Sequence, residues 1–195
     1  MIKKYFNSKA AIWDDEVAEK DATKLSQMAE RLHIMEGAKV LDVGTGTGVF
    51  IPYLQKHMGE RGLLIAIDIA EKMLHRSLKK HFKGTVIYLQ SDITSTPLID
   101  AQFDAVVCYS SFPHFQDKLK ALSEIARVLK NGGRLHICHT SSRTAINGIH
   151  QQIPGFDKDT IPDMEEMRNI LTSAGFRGIE IDDGDESYLA SALKA

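Results

Sequence analysis

Residues 40–48 read Val-Leu-Asp-Val-Gly-Thr-Gly-Thr-Gly, and this run restricts the fold more tightly than any other stretch of the chain. An apolar segment ends on glycines at alternate positions, Gly44, Gly46 and Gly48, and helical spacing resumes beyond them. A strand that turns sharply into a helix while a ligand touches its backbone needs residues without Cβ. A glycine trio alone is a weak signal. Placed after a strand and before a helix, with an acidic residue closing the next strand, it marks a nucleotide cradle.

The rest of the chain supplies that setting. Short apolar runs alternate with amphipathic segments, the pattern of a parallel sheet covered by helices. Strands are expected over 39–43, 63–67, 85–90, 104–108, 134–139, 177–182 and 187–193. Helices are expected over 49–57, 70–81, 119–129 and 164–174, with an N-terminal helix over 15–32. Asn131-Gly132-Gly133 reads as an αL-type cap on the helix over 119–129. Residues 141–162 read as the longest irregular stretch. Asp182-Asp183-Gly184-Asp185 is too short for a helical crossover, so the last two strands should pair antiparallel.

At 195 residues the chain fits one domain with a core of its own. A net charge of -2 gives no electrostatic case for nucleic acid or an anionic membrane as partner. Cys108 and Cys138 do not resemble a disulfide framework. Neither a signal peptide nor an apolar membrane span is apparent, so a reduced, cytoplasmic setting is expected.

Asp68 ends the second expected strand, where its carboxylate can reach a ribose diol beside the glycine turn. Its plainer reading is an acidic cap on the next helix. Asp92 follows the third strand and could accept from an adenine amino group, or simply cap a turn. A dinucleotide fingerprint is G-x-G-x-x-G, but here the third glycine arrives one residue early and Val49 holds its slot. That spacing, and the absence of a second mononucleotide-binding half, count against NAD.

These residues resemble the class I S-adenosylmethionine-dependent methyltransferases, and within them the methyltransferase type 11 group related to the ubiquinone/menaquinone C-methyltransferases. The likeness covers roughly residues 37–178. It is carried by Val40 to Gly48, by Ile67-Asp68-Ile69-Ala70-Glu71-Lys72-Met73-Leu74, by Ser91-Asp92-Ile93, by Phe103-Asp104-Ala105-Val106-Val107-Cys108, and by the run from Glu124 to Gly133. It implies an α/β, Rossmann-like doubly wound sheet of seven strands in the order 3-2-1-4-5-7-6, the last antiparallel, with helices on both faces. It divides the chain into a helical lid segment (1–36), a cofactor core (37–139), an acceptor-side loop (140–163) and a C-terminal helix with hairpin (164–195). It implies S-adenosylmethionine as cofactor and S-adenosylhomocysteine as product. Gly44, Thr45, Gly46 and Gly48 would approach the methionine part, with Asp42 near its amino group through water. Asp68 would hold the ribose; Ile69 and Met73 would pack on the adenine, while Asp92 and Ile93 would contact its edge. Tyr109 would line the sulfonium side. Tyr5, Phe6 and Trp13 lie on a segment that closes over the cofactor in such proteins.

Methyl transfer from a sulfonium needs alignment and, where the nucleophile carries a proton, a base. His114, His139 and His150 are the candidate bases near the carboxyl ends of strands four and five. Their convergence on a metal or a metallated substrate is a sharper alternative, and the cysteines could join a soft-metal site. Arg143 and Arg168 could pair with an anionic acceptor. No large insertion is available to shape an acceptor pocket, which favours a small molecule over a protein or nucleic acid. A non-catalytic S-adenosylmethionine sensor and a nicotinamide oxidoreductase are the rival readings. Monomer and homodimer both remain open.

Overall fold

The computed structural model describes residues 2–195. Its strands are β1 (Lys39–Val43), β2 (Leu63–Asp68), β3 (Thr85–Gln90), β4 (Phe103–Tyr109), β5 (Leu129–His139), β6 (Phe176–Asp183) and β7 (Tyr188–Lys194). They form one sheet in the order β3-β2-β1-β4-β5-β7-β6. β1 to β5 pair in parallel. β7 runs antiparallel to both of its neighbours. The strand order reverses direction between β1 and β4, and in open α/β sheets this switch opens a crevice at the carboxyl ends.

Eight α-helices accompany the sheet among the described residues: α1 (Ile2–Lys9), α2 (Trp13–Glu16), α3 (Ala22–Arg31), α4 (Ile51–Met58), α5 (Glu71–Leu78), α6 (Lys118–Val128), α7 (Arg143–Gln151) and α8 (Met164–Ser173). Strand residues point alternately to the two faces, and each face has its own core. On one, Leu41, Val106, Cys108, Leu135 and Ile137 pack with Leu122 and Ile125 of α6 and Met167 and Leu171 of α8. On the other, Val40, Leu64, Ala66 and Val107 pack with Leu25 and Met28 of α3 and Leu54 and Met58 of α4. Among the described residues no helix is long and apolar enough to cross a membrane.

Three expectations about elements fail, each for a local reason. The single helix over 15–32 is instead α2 and α3, because Asp21 caps the latter by accepting from the amides of Thr23 (2.9 Å) and Lys24 (3.2 Å). Asn131-Gly132-Gly133 does not cap α6. The backbone becomes extended at Leu129, which pairs with Phe103 and buries its side chain, so the glycines lie within β5 where the register shifts. The stretch over 141–162 holds α7, capped by the Ser142 hydroxyl, which accepts from the Ala145 amide. Gly148 in its middle lowers helix propensity and hid it from the pattern.

Candidate active site

A cavity of about 630 Å³ opens at the carboxyl ends of β1, β2, β4 and β5, within the range of roughly 300–1,000 Å³ common for small-molecule sites. Its floor is the glycine turn. Gly44 has φ +72° and a Cβ there would lie 2.4 Å from Ser111 Cβ, so only glycine lets the β1 and β4 loops meet. The Ser111 hydroxyl fixes that contact by donating to the Val43 carbonyl at 2.6 Å. Gly46, at φ +56°, has nothing within 4 Å of a built Cβ. Gly48 is different. Its Cβ would lie 2.3 Å from Ser77 Oγ and 2.8 Å from Phe82 Cε2, and the residue does not line the cavity. The third glycine therefore serves packing against α5, which corrects its expected place at the cofactor.

Asp68 is buried at the end of β2 and lines the cavity. One oxygen accepts from the Gly46 amide at 2.8 Å and the other from the Ala70 amide at 2.7 Å. Burial raises its carboxyl pKa, an effect offset by those two amides and by His114. Asp68 thus supports the start of α5 and also faces the cavity. Asp42, by contrast, is buried within β1 and does not itself line the cavity. Burial pushes its carboxyl up to about 7, eased by the Thr45 hydroxyl and reinforced by Asp68.

Gly44, Thr45, Ile69, Met73, Asp92, Ile93 and Tyr109 all line the cavity. Asp92 is exposed and caps a short 3₁₀ turn, accepting through one oxygen from the Thr94 amide and hydroxyl at 2.8 Å each. Tyr109 stacks on Phe50 at 4.4 Å between ring centres, and its hydroxyl lies 3.0 Å from Thr140 Oγ1. Burial lifts its phenol to about 12, despite the Thr140 hydrogen bond, so it remains neutral. Ile2, Phe6, Trp13, Val17 and Glu19 of the N-terminal segment line the cavity as well. Tyr5 does not line it and instead packs on Phe156 at 4.5 Å.

The three histidines also line the cavity. His114 and His150 have ring centres 4.7 Å apart. His114 Nδ1 lies 2.8 Å from an Asp159 carboxylate oxygen, and His150 Nδ1 lies 2.5 Å from the Asp159 carbonyl. His139 is buried with no hydrogen-bond partner at Nε2. Burial, then the charges of His114 and His150, depress it to about 3, which makes it a neutral ring and a poor base at physiological pH. Among the described residues no cluster of three or more His, Cys, Asp or Glu side chains has the geometry to hold a metal ion. Cys108 and Cys138 are buried in the sheet, away from the cavity, with thiol pKa values raised chiefly by burial. Arg143 is paired with Asp183 at 2.6 Å, and Arg168 donates to the Ile179 carbonyl. Neither lines the cavity, which corrects their expected use for an anionic acceptor. Sequence reasoning missed Asp159, whose role depends on a fold-back of the segment after α7, and Glu19, which accepts from Thr140 Oγ1 at 3.2 Å.

Residues 41–137 match the family model described as a methyltransferase domain. The chain belongs to the S-adenosylmethionine-dependent methyltransferases. S-adenosylmethionine is its cofactor. It is 27% identical over 174 residues to the ubiquinone/menaquinone biosynthesis C-methyltransferase of Idiomarina loihiensis, covering 75% of this chain and 69% of that protein. It is 32% identical over 166 residues to the enzyme of the same name from Haemophilus ducreyi, covering 83% of this chain but only 59% of that one. A SAM-dependent methyltransferase from Aquifex aeolicus superposes with a TM-score of 0.77 at 28% identity, covering 97% of this methyltransferase and 98% of its counterpart.

Proposed function

We propose that this methyltransferase transfers a methyl group to a small-molecule acceptor by in-line displacement, with the cofactor seated between the glycine turn and Asp68. The observation that carries the reading is the Asp68 carboxylate, buried in the cavity wall and tied to the Gly46 amide at 2.8 Å. Such a carboxylate can accept from a ribose diol while it holds the turn in place.

The residues present fit an adenosyl amino acid. Gly46 leaves open the space that a side chain would occupy, beside Gly44 and Thr45, and this cradle suits the methionine part. Ile69, Met73 and Ile93 provide an apolar wall for the adenine, and the second oxygen of Asp92 is placed to meet its edge. Tyr109, held neutral, lines the side where the sulfonium would lie. When bound, S-adenosylmethionine supplies a methyl group on a positively charged sulfur with a neutral thioether as leaving group. The chain's own contribution is alignment, exclusion of water beneath α1 and α2, and a base among His114 and His150. Phe6 and Trp13 cover the opening as a lid, and the enclosed volume left for an acceptor favours a small molecule.

Calorimetry with S-adenosylhomocysteine, followed by labelled-methyl transfer to a panel of small acceptors, tests the proposal. Saturable binding with transfer to a panel member is expected. Absence of S-adenosylhomocysteine binding by the folded chain overturns it.

A further inference from the structure

The acceptor end of the cavity is organised by one residue. The Asp159 side chain and main chain each hold a different imidazole: the carboxylate takes His114 Nδ1 at 2.8 Å, and the carbonyl takes His150 Nδ1 at 2.5 Å. A carbonyl only accepts, so His150 carries its proton on Nδ1 and its lone pair on Nε2. An ionised carboxylate also only accepts, which places a proton on His114 Nδ1 as well. Asp159 is suited to remain ionised. Burial works against it, but His114, the Gln116 amide (3.2 Å) and Lys118 hold its carboxyl below the ordinary value.

Both rings line the cavity, and with Nδ1 of each taken by Asp159, neither Nε2 has a hydrogen-bond partner among the described residues. The charged or titratable groups around His114 are Asp159, His150, His139 and Asp68, with Lys118 acting on Asp159. Phe6 packs on its ring at 5.0 Å. Among the described residues no arginine lines the cavity, and the lysine that does, Lys120, is exposed on the first turn of α6. Imidazole lone pairs among Phe6, Phe115, Ile146 and Ile149 offer hydrogen-bond acceptors in a largely apolar surround.

We propose that the acceptor molecule carries an ionisable O–H, N–H or S–H, and that Asp159 is a positioning residue that fixes both imidazoles so that His114 Nε2 takes this proton. The inference rests on the methyltransferase reading above. The acceptor's X–H proton passes to His114 Nε2, the pair left on X forms the X–CH₃ bond, and the pair of the breaking S–CH₃ bond stays on sulfur. His150, whose pKa is lowered by burial, stays neutral and lines the cavity beside His114.

Imidazole ¹⁵N NMR of the full chain decides the matter without turnover, with resonances assigned through His114→Gln and His150→Gln. At pH 8 both rings should show the Nδ1-protonated tautomer. Asp159→Asn should shift His114 toward a tautomer mixture and leave His150 unchanged, because asparagine keeps the main-chain carbonyl. With S-adenosylhomocysteine present, phenol should perturb the Nε2 resonance of His114 and toluene should not. An Nε2-protonated His114 in the unsubstituted chain, a His114 tautomer indifferent to Asp159→Asn, or a His114 Nε2 resonance indifferent to phenol overturns the proposal. Failure to bind S-adenosylhomocysteine would instead count against the methyltransferase reading, so the two failures are distinguishable.

Discussion

The carboxylate of Asp68 spans from the end of β2 to the amide of Gly46, 2.8 Å away, and so joins the glycine turn to the neighbouring strand as one rigid cradle. Its other oxygen is fixed by the Ala70 amide at 2.7 Å, which leaves the remaining lone pairs for a ligand. Asp68→Ala removes both the support of the turn and the proposed ribose contact. Affinity for S-adenosylhomocysteine should fall more than tenfold, a loss above about 1.4 kcal/mol, read by calorimetry. An unchanged affinity would show that the carboxylate only supports the backbone.

The second and third glycines of the run should respond differently to the same substitution. Gly46→Ala places a methyl group in open cavity space at φ +56°, so it should cost only about 1–2 kcal/mol of stability while filling the cradle. Gly48→Ala drives a methyl group to 2.3 Å from Ser77 Oγ and 2.8 Å from Phe82 at φ +80°. Ser77 is fully buried and cannot swing away. Thermal melts should therefore show the larger fall in Tm for Gly48→Ala, and calorimetry the larger loss of S-adenosylhomocysteine affinity for Gly46→Ala. The reverse ranking would contradict the division of roles.

Much of this division was legible in the residues, and its gaps have physical causes. Strand positions followed from the apolar runs because a parallel strand buried on both faces has little polar interruption. The placement of Asp68 beside the turn followed from topology alone. What spacing did not show is whether a glycine is required by ligand or by packing, since both demand a missing Cβ, and Gly48 proved to be the second kind. Asp42 drew attention only through the family likeness, and its burial within β1 followed from strand alternation that the local spacing did not single out. Asp159 was invisible because its partners His114 and His150 come from separate segments, and only the fold-back after α7 brings them together.

The buried Asp42 gives a pH signature. Its folded carboxyl titrates at about 7 against an ordinary value of 3.8, so its favourable contribution is complete below about pH 4 and is lost as pH rises through 7. His136 and His139 act oppositely, since burial depresses both to about 3; their contribution is present above the ordinary value of 6.5 and is lost as pH falls through 3. Comparing Asp42→Asn with the unsubstituted chain isolates the first term. The stability difference should move in favour of the variant by up to about 4 kcal/mol between pH 4 and pH 8, measured by urea unfolding. A difference independent of pH would show that Asp42 is not strained by its burial.

Trp13 is the chain's single tryptophan and lines the cavity mouth, with its ring centre 5.4 Å from that of Phe6. The adjacent Asp14 fastens this segment to the body: it accepts from Thr47 Oγ1 at 2.5 Å and pairs with Lys80 at 3.0 Å. Because Thr47 belongs to the glycine turn, lid and cradle share one latch. S-adenosylhomocysteine should therefore change Trp13 fluorescence saturably, with a midpoint that matches calorimetry. Asp14→Ala should speed dissociation several-fold by removing the latch while leaving the cradle contacts in place, an effect that stopped-flow fluorescence would read. Trp13→Phe should abolish the optical signal and retain binding. Calorimetric binding with no fluorescence response in the unsubstituted chain would show that α2 stands clear of the ligand and that the segment is not a lid.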